Sequence, residues 1–128
     1  MRKTIRLKTG QALVTLLVFS AVALIVTSAA VMVTIINSQT TAKFSQGEEA
    51  LAVAEAGVEN AIIQIKRNSA YSGETISVGD GTATITVSGA SIKTITAKSS
   101  IGDFKRTLQV TGYYSSFSFS IQSWQEID

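Results

Sequence analysis

Hydrophobic and polar positions follow three successive patterns along the chain, and the first is a nearly continuous apolar run. Apolar residues dominate positions 11–36, and no charged residue occurs from Gln11 to Ala42. A helix rises about 1.5 Å per residue, so this stretch is longer than the ~30 Å hydrocarbon core of a bilayer requires. The pattern predicts a membrane-spanning helix. Its scattered Ser and Thr hydroxyls are expected to donate to carbonyls one turn earlier.

The second pattern, over residues 37–68, is that of an amphipathic helix. Apolar residues recur every three or four positions and form one stripe. The helix is expected to end near Arg67, where basic residues suit the negative end of the helix dipole. Gly47 and Gly57 lie within this pattern and indicate local bending or a close helix contact. The stripe consists of Leu51, Ala54, Val58, Ala61 and Ile65, with Ile62 beside it.

Three carboxylates, Glu48, Glu55 and Glu59, fall about a quarter-turn from that stripe. None has Lys or Arg three or four residues after it, and Glu55 and Glu59 form a like-charge pair one turn apart. Two interpretations follow. The acids form a solvated face, or they pair with cations of a neighbouring subunit.

From Ser72 the period becomes two, which predicts strands near 74–78, 82–88, 92–100 and 104–111. Glycine-containing turns between them indicate an antiparallel meander with one apolar and one Thr-rich face. The apolar stripe of the helix is expected to pack on the apolar face of the sheet. Arg106 is the one charged residue at a position predicted for that apolar face. The tail, 112–128, is interpreted as a fifth edge strand or an extended segment, with Trp124 as a packing anchor rather than a ligand contact.

These patterns predict an α+β fold: a helix over about 11–68 whose C-terminal half packs on an antiparallel sheet of four or five strands. The expected divisions are a basic leader (1–10), a membrane half of the helix (11–36), an amphipathic half (37–68) and a β domain (72–128).

The amino-acid composition excludes several classes of function. The chain has no His and no Cys, so the commonest general bases and transition-metal ligands are missing. Five other acids lie at turns or near the terminus, and no pair of them has the spacing of a catalytic dyad or a calcium loop: Glu74, Asp80, Asp103, Glu126 and Asp128. We expect no catalytic, cofactor or metal site, and no enzyme. The net charge of +2 reflects a basic leader, so it does not indicate nucleic-acid binding. The same leader places the N-terminus in the cytoplasm and the β domain across the membrane.

Three segments carry a family resemblance: KTGQALVTLLVFSAVALIV, LAVAEAGVENAI and GDFKRTLQV. The chain resembles type IV pilin-like proteins, in particular PilX-type minor pilins and the K-type pseudopilins of type II secretion. The resemblance implies a prepilin leader ending at Gly10, cleavage by prepilin peptidase before Gln11, and methylation of the new amino group.

The resemblance also implies a role as a filament subunit. Most pilins carry Glu at the fifth mature position, where this chain has Thr15. PilX-type and K-type subunits commonly lack that Glu, so the resemblance favours a minor subunit. Implied partners are other pilin subunits, prepilin peptidase and an inner-membrane assembly platform with its ATPase motor. The implied location is the bacterial cytoplasmic membrane, then a cell-surface filament.

Other interpretations stay open from the sequence. A secretory signal cleaved near Thr27–Ala30 is disfavoured because the chain remains apolar afterwards. A single-span anchored extracellular binding module, which does not polymerise, is the alternative from another functional class. TadE-like pilus proteins share the GQALV-type start but not the AEAGVENA continuation.

Overall fold

The architecture is one long helix followed by a five-stranded antiparallel sheet. A computed structural model describes the backbone of residues 3–127 and the side chains of residues 10–127. The chain divides into two compact units between Ala42 and Lys43. The predicted α+β fold is confirmed. The elements are α1 (Lys3–Arg67), β1 (Thr75–Val78), β2 (Gly81–Ser88), β3 (Ile92–Ile101), β4 (Phe104–Ser115) and β5 (Ser118–Glu126).

The predicted helix over about 11–68 is confirmed, and α1 also extends back through the leader to Lys3. The residues before Gln11 include no proline, and Gly10 costs only about 1 kcal/mol in a helix interior. The C-terminal end agrees with prediction: Lys66 and Arg67 lie in the last turn, and the Asn68 amide donates to the Gln64 carbonyl at 2.8 Å.

The sheet has the strand order β1-β2-β3-β4-β5, with every neighbouring pair antiparallel. The predicted meander is confirmed, and the tail is an edge strand, β5. Glycines supply the left-handed backbone at two of the turns, Gly79 with φ 57° and Gly102 with φ 54°. Strand β4 continues past the predicted residue 111 to Ser115, because β5 pairs with it along its whole second half.

The core lies between the predicted helix stripe and the apolar sheet face. Gly57 allows the close approach: a Cβ added there would lie 3.0 Å from the Ala83 Cβ and 3.4 Å from the Ala97 Cβ. The interpretation of Gly57 as a close-contact position is therefore confirmed. Leu51 and Ile62 pack at the margin of this core. The buried members are Ala54, Val58, Ala61 and Ile65 from the helix and Ile85, Ile95, Ala97, Leu108 and Val110 from the sheet.

Two buried polar side chains of β3 bond to backbone carbonyls at the helix side of the core. The Ser99 hydroxyl donates to the Ala50 carbonyl at 2.6 Å, which ties the sheet to the middle of α1. The Lys93 ammonium donates to the Ser69 carbonyl at 2.8 Å, just beyond the helix end. Both groups are satisfied, as buried polar groups generally must be.

Candidate assembly surface

The surface of α1 over residues 11–36 is predominantly apolar on all sides. Every described residue from Gly10 to Gln46 is exposed. Helix residues Gly10–Arg67 include a segment long and apolar enough to cross a membrane, and none of that segment is buried against protein. Exposed apolar area of this extent marks a surface that lipid or other protein covers. Its largest side chains include Leu13, Leu17, Phe19, Leu24, Ile25, Met32 and Phe44.

The hydroxyls of this segment are paired within the helix. The Thr15 hydroxyl donates to the Gln11 carbonyl at 2.9 Å, and Ser20 and Thr27 make the same contact at 2.8 and 2.7 Å. The predicted one-turn back-bonding is therefore confirmed. Because each hydroxyl is satisfied locally, it adds little cost to burial in lipid or in a helix bundle.

The structure brings two of the sequence-predicted residues together and leaves Gly10 unobstructed. Thr15 and Gln11 meet through the hydroxyl bond, one turn apart. A Cβ added at Gly10 would meet no atom within 4 Å, so a methyl group fits there within the isolated chain. Packing against this chain therefore does not require glycine at that position.

The three predicted acids, Glu48, Glu55 and Glu59, are all exposed on α1. Over the residues whose side chains are described, the single ion pair joins Arg106 and Glu126 at 2.7 Å, and none of the three acids takes part in it. The acids thus remain available to solvent or to another chain.

The Arg106–Glu126 pair explains the predicted misfit on the apolar face. Arg106 lies at the end of that face, where its guanidinium reaches Glu126 on β5 and lies close to Gly47 on the helix. The sequence carried no signal for this pairing, because the partner comes from the tail and the two residues are far apart in the chain. The pair fastens the end of β5 to β4.

Trp124 is not the buried anchor that the sequence suggested. It lies opposite Val110, on the core face of the sheet, but remains 42% exposed. Strand β5 extends the apolar face beyond the fully buried core, and Ile121 is likewise 49% exposed. The alternating pattern of the tail predicted strand β5 correctly. It did not show how much of the apolar face of β5 the helix covers.

A polar cluster fastens the loop after α1 to the helix. The Glu74 carboxylate accepts from the Asn60 amide at 2.8 Å and from the Tyr71 hydroxyl at 3.0 Å. Partial burial, together with that hydrogen bond to a negative partner, raises the pKa of Tyr71 to about 12. The arrangement fixes the chain direction at the entry to β1. Over the described residues, no group of three or more His, Cys, Asp or Glu residues is placed to hold a metal ion.

Comparisons with protein-family models, with curated proteins and with solved structures give no match to this chain.

Proposed function

We propose that this protein is a structural subunit, a minor pilin or pseudopilin, of a type IV pilus or a related type II secretion-like filament. The observation that carries the proposal is a single helix with two kinds of surface. Its first part exposes apolar side chains all round, and its last part packs by one stripe on a five-stranded sheet. Such a helix can lie in lipid before assembly and against other helices afterwards.

Processing at the leader is the first step of the proposed pathway. The basic residues before Gly10 hold the N-terminus in the cytoplasm, and the β domain lies outside the cytoplasmic membrane. Prepilin peptidase cuts between Gly10 and Gln11, and the new amino group is methylated. Leaving the bilayer exposes apolar helix surface, which is unfavourable, so the assembly platform and its ATPase motor must drive the transfer.

Thr15 supports a minor rather than a major subunit. Its hydroxyl bonds within its own helix, to the Gln11 carbonyl, and it carries no charge that could pair with a neighbour's terminal amine. In low dielectric such an ion pair would be a large interaction, although part of it is offset by the cost of burying a carboxylate. A subunit without that pair suits a position that few copies occupy.

The exposed acids complete the proposed assembly surface. Glu48, Glu55 and Glu59 follow the apolar segment along α1, where contacts with neighbouring subunits are expected to begin. We assign them to pairing with cations of other subunits. Exposed pairs of this kind contribute up to about 1 kcal/mol each, so they serve register more than affinity.

The decisive measurement is the intact mass of the protein from cells that contain the whole assembly machinery. We expect a chain that starts at Gln11 and carries one additional methyl group. A retained Met1 would contradict the proposal, and so would a chain that starts near Val31.

A variant pair sharpens this test. Gly10→Ala should abolish cleavage and filament incorporation, although the substitution fits the helix without a clash. Gly47→Ala is the matched control in the same helix. Its methyl group would meet the far end of the Arg106 side chain at 3.3 Å, which a small shift of that long side chain can accommodate, and processing should stay normal. Normal processing of Gly10→Ala would contradict the proposed function.

A further inference from the structure

The edge strand β5 has few of the features that usually protect a sheet edge: one register shift and one charged residue, Glu126, at its end. It spans nine residues, Ser118–Glu126, and contains no proline and no lysine. The chain carries no charged residue from Thr107 to Gln125, so the hairpin is uncharged except at the end where Arg106 pairs with Glu126. The pairing of β5 with β4 is interrupted once, between Thr111 and Gly112. Long edges with so few charges can accept an added strand.

The apolar side of β5 is also incompletely covered. Register places Trp124 opposite Val110 and Ile121 opposite Gly112, and residues opposite each other share a sheet face. Both side chains therefore lie on the core face, yet they stay 42% and 49% exposed. An added strand with apolar residues on that face would continue the core past β5.

The opposite edge of the same sheet, strand β1, is uncharged and also carries partly exposed apolar residues on the core face. Strand β1 has the sequence TISV and is uncharged. Ile76 lies opposite the buried Ala83, and Val78 lies opposite Gly81, so both belong to the core face. Each is half-buried, which leaves part of its apolar surface free.

The strand count decides how two copies can join these edges. A meander of five strands has edge strands that run in the same direction. If a second copy is shifted sideways without rotation, its β1 lies beside β5 of the first copy and runs parallel to it. Lys43, where the sheet unit begins, then lies at the same end of both copies. Pairing β5 with β5 in the common antiparallel, two-fold arrangement would reverse one copy.

We propose that β5 of one copy receives β1 of the next copy as a parallel strand, which forms head-to-tail rows of sheets. In such a row Ile76 and Val78 of one copy lie against Trp124 and Ile121 of its neighbour. The contact is heterologous and leaves one β1 edge and one β5 edge free, so a short row of copies can form in the same way. The preference for unreversed copies rests on the proposed function, since subunits anchored in one membrane must enter it from the same side.

Cysteine cross-linking tests this arrangement directly, because the chain has no cysteine of its own. Ser77 of β1 and Ser120 of β5 are both exposed on the Thr-rich face, where they lie opposite Thr82 and Tyr113. The full-length double variant Ser77→Cys/Ser120→Cys, oxidised mildly in lipid vesicles, should give a ladder of dimers, trimers and longer products. Each single variant should stay largely monomeric.

The other outcomes overturn the proposal. Efficient dimers of the Ser120→Cys single variant would indicate β5–β5 pairing instead. Absence of a ladder in the double variant, at protein densities that allow contact, would exclude head-to-tail pairing through these edges.

A charge on the edge supplies a second test with a matched control. Ile121→Lys places a cation on the apolar side of β5 and should reduce the ladder about tenfold. Ile92→Lys makes the same change at a similarly exposed isoleucine, 55% against 49%, on an inner strand, and should leave the ladder intact. Equal ladders from both variants would contradict the proposal.

The intact-mass measurement separates this inference from the proposed function. A processed and methylated chain without a ladder removes the edge pairing and leaves the subunit role in place. A ladder from a chain that is never processed supports the edge pairing and contradicts the proposed subunit role.

Discussion

The two parts of helix α1 have the same helical backbone, but the side chains of the first part are exposed and those of the second are partly buried against the sheet. From Gly10 to Gln46 every described residue is exposed, although most are apolar. From Gly47 to Arg67 the apolar residues form one stripe, and most of that stripe is buried against the sheet. The difference shows that side-chain pattern, and not helix propensity, decides what covers each part.

Residue size sharpens the contrast. The buried part presents small residues, Ala54, Gly57 and Ala61, so that the backbone can approach the sheet closely. The exposed part presents large ones, such as Leu17 and Phe19, which enlarge the apolar surface offered to lipid or to other helices. The buried part is closely packed within this chain, whereas the exposed part has its large apolar side chains uncovered.

The largest expected effect comes from overfilling the close contact. Gly57→Leu must displace Ala83 and Ala97 and should lower the free energy of unfolding by about 3 kcal/mol. Ala21→Leu, on the exposed part, is the matched control and should change it by less than about 0.5 kcal/mol. Denaturant unfolding in detergent micelles, followed by the fluorescence of the single Trp124, measures both. Equal losses would remove the distinction between the two parts.

A smaller effect compares two serine-to-carbonyl hydrogen bonds. The Ser99 hydroxyl crosses from the sheet to the Ala50 carbonyl, whereas the Ser28 hydroxyl donates to the Leu24 carbonyl of its own helix. Ser99→Ala should cost about 1 kcal/mol in the same unfolding assay, because a buried tertiary bond is lost. Ser28→Ala should cost almost nothing. A neutral Ser99→Ala would show that this bond does not fasten the sheet to the helix.

A third effect appears only at high pH and concerns Tyr71, beyond the end of the amphipathic part of the helix. The pKa of Tyr71 is raised to about 12 from its ordinary value of 10.0. The folded state therefore holds the phenolic proton more tightly than the unfolded state. The stability from this proton is fully present below about pH 10 and is lost as the pH rises through about 12.

A spectrophotometric titration of the folded protein, with Tyr71→Phe subtracted, isolates this group among the three tyrosines. Glu74→Gln should lower the midpoint, since it removes the negative charge that accepts the Tyr71 hydroxyl proton. A midpoint near 10 in the unmodified protein would contradict the cluster geometry.

Much of the fold was predictable because its signals are local. The three-and-four spacing of Ala54, Val58 and Ala61 predicted the buried helix face, and glycine turns with period-two strands predicted the meander. The back-bonding of Thr15 was predictable for the same reason, since donor and acceptor lie one turn apart.

What sequence reasoning missed depends on contacts between distant positions. Arg106 looked misplaced until its partner Glu126 was located on the neighbouring strand. Trp124 looked like a core anchor, but its burial depends on how far the helix stripe reaches across the sheet. The extension of α1 back to Lys3 was not predicted from the sequence, although the single glycine before Gln11 weakens a helix without ending it.

The continuity of α1 through Gly10 bears on how fast the leader can be removed. Under the proposed function the bond to be cut lies inside a helix, where the flanking amide groups are paired with residues four positions away. A peptidase gains access only to molecules in which this turn has opened. Glycine weakens the turn by about 1 kcal/mol, which makes opened molecules about fivefold more frequent than with alanine. Gly10 thus raises the fraction of molecules in which the cleavage site is accessible, in addition to any direct recognition of glycine by the peptidase.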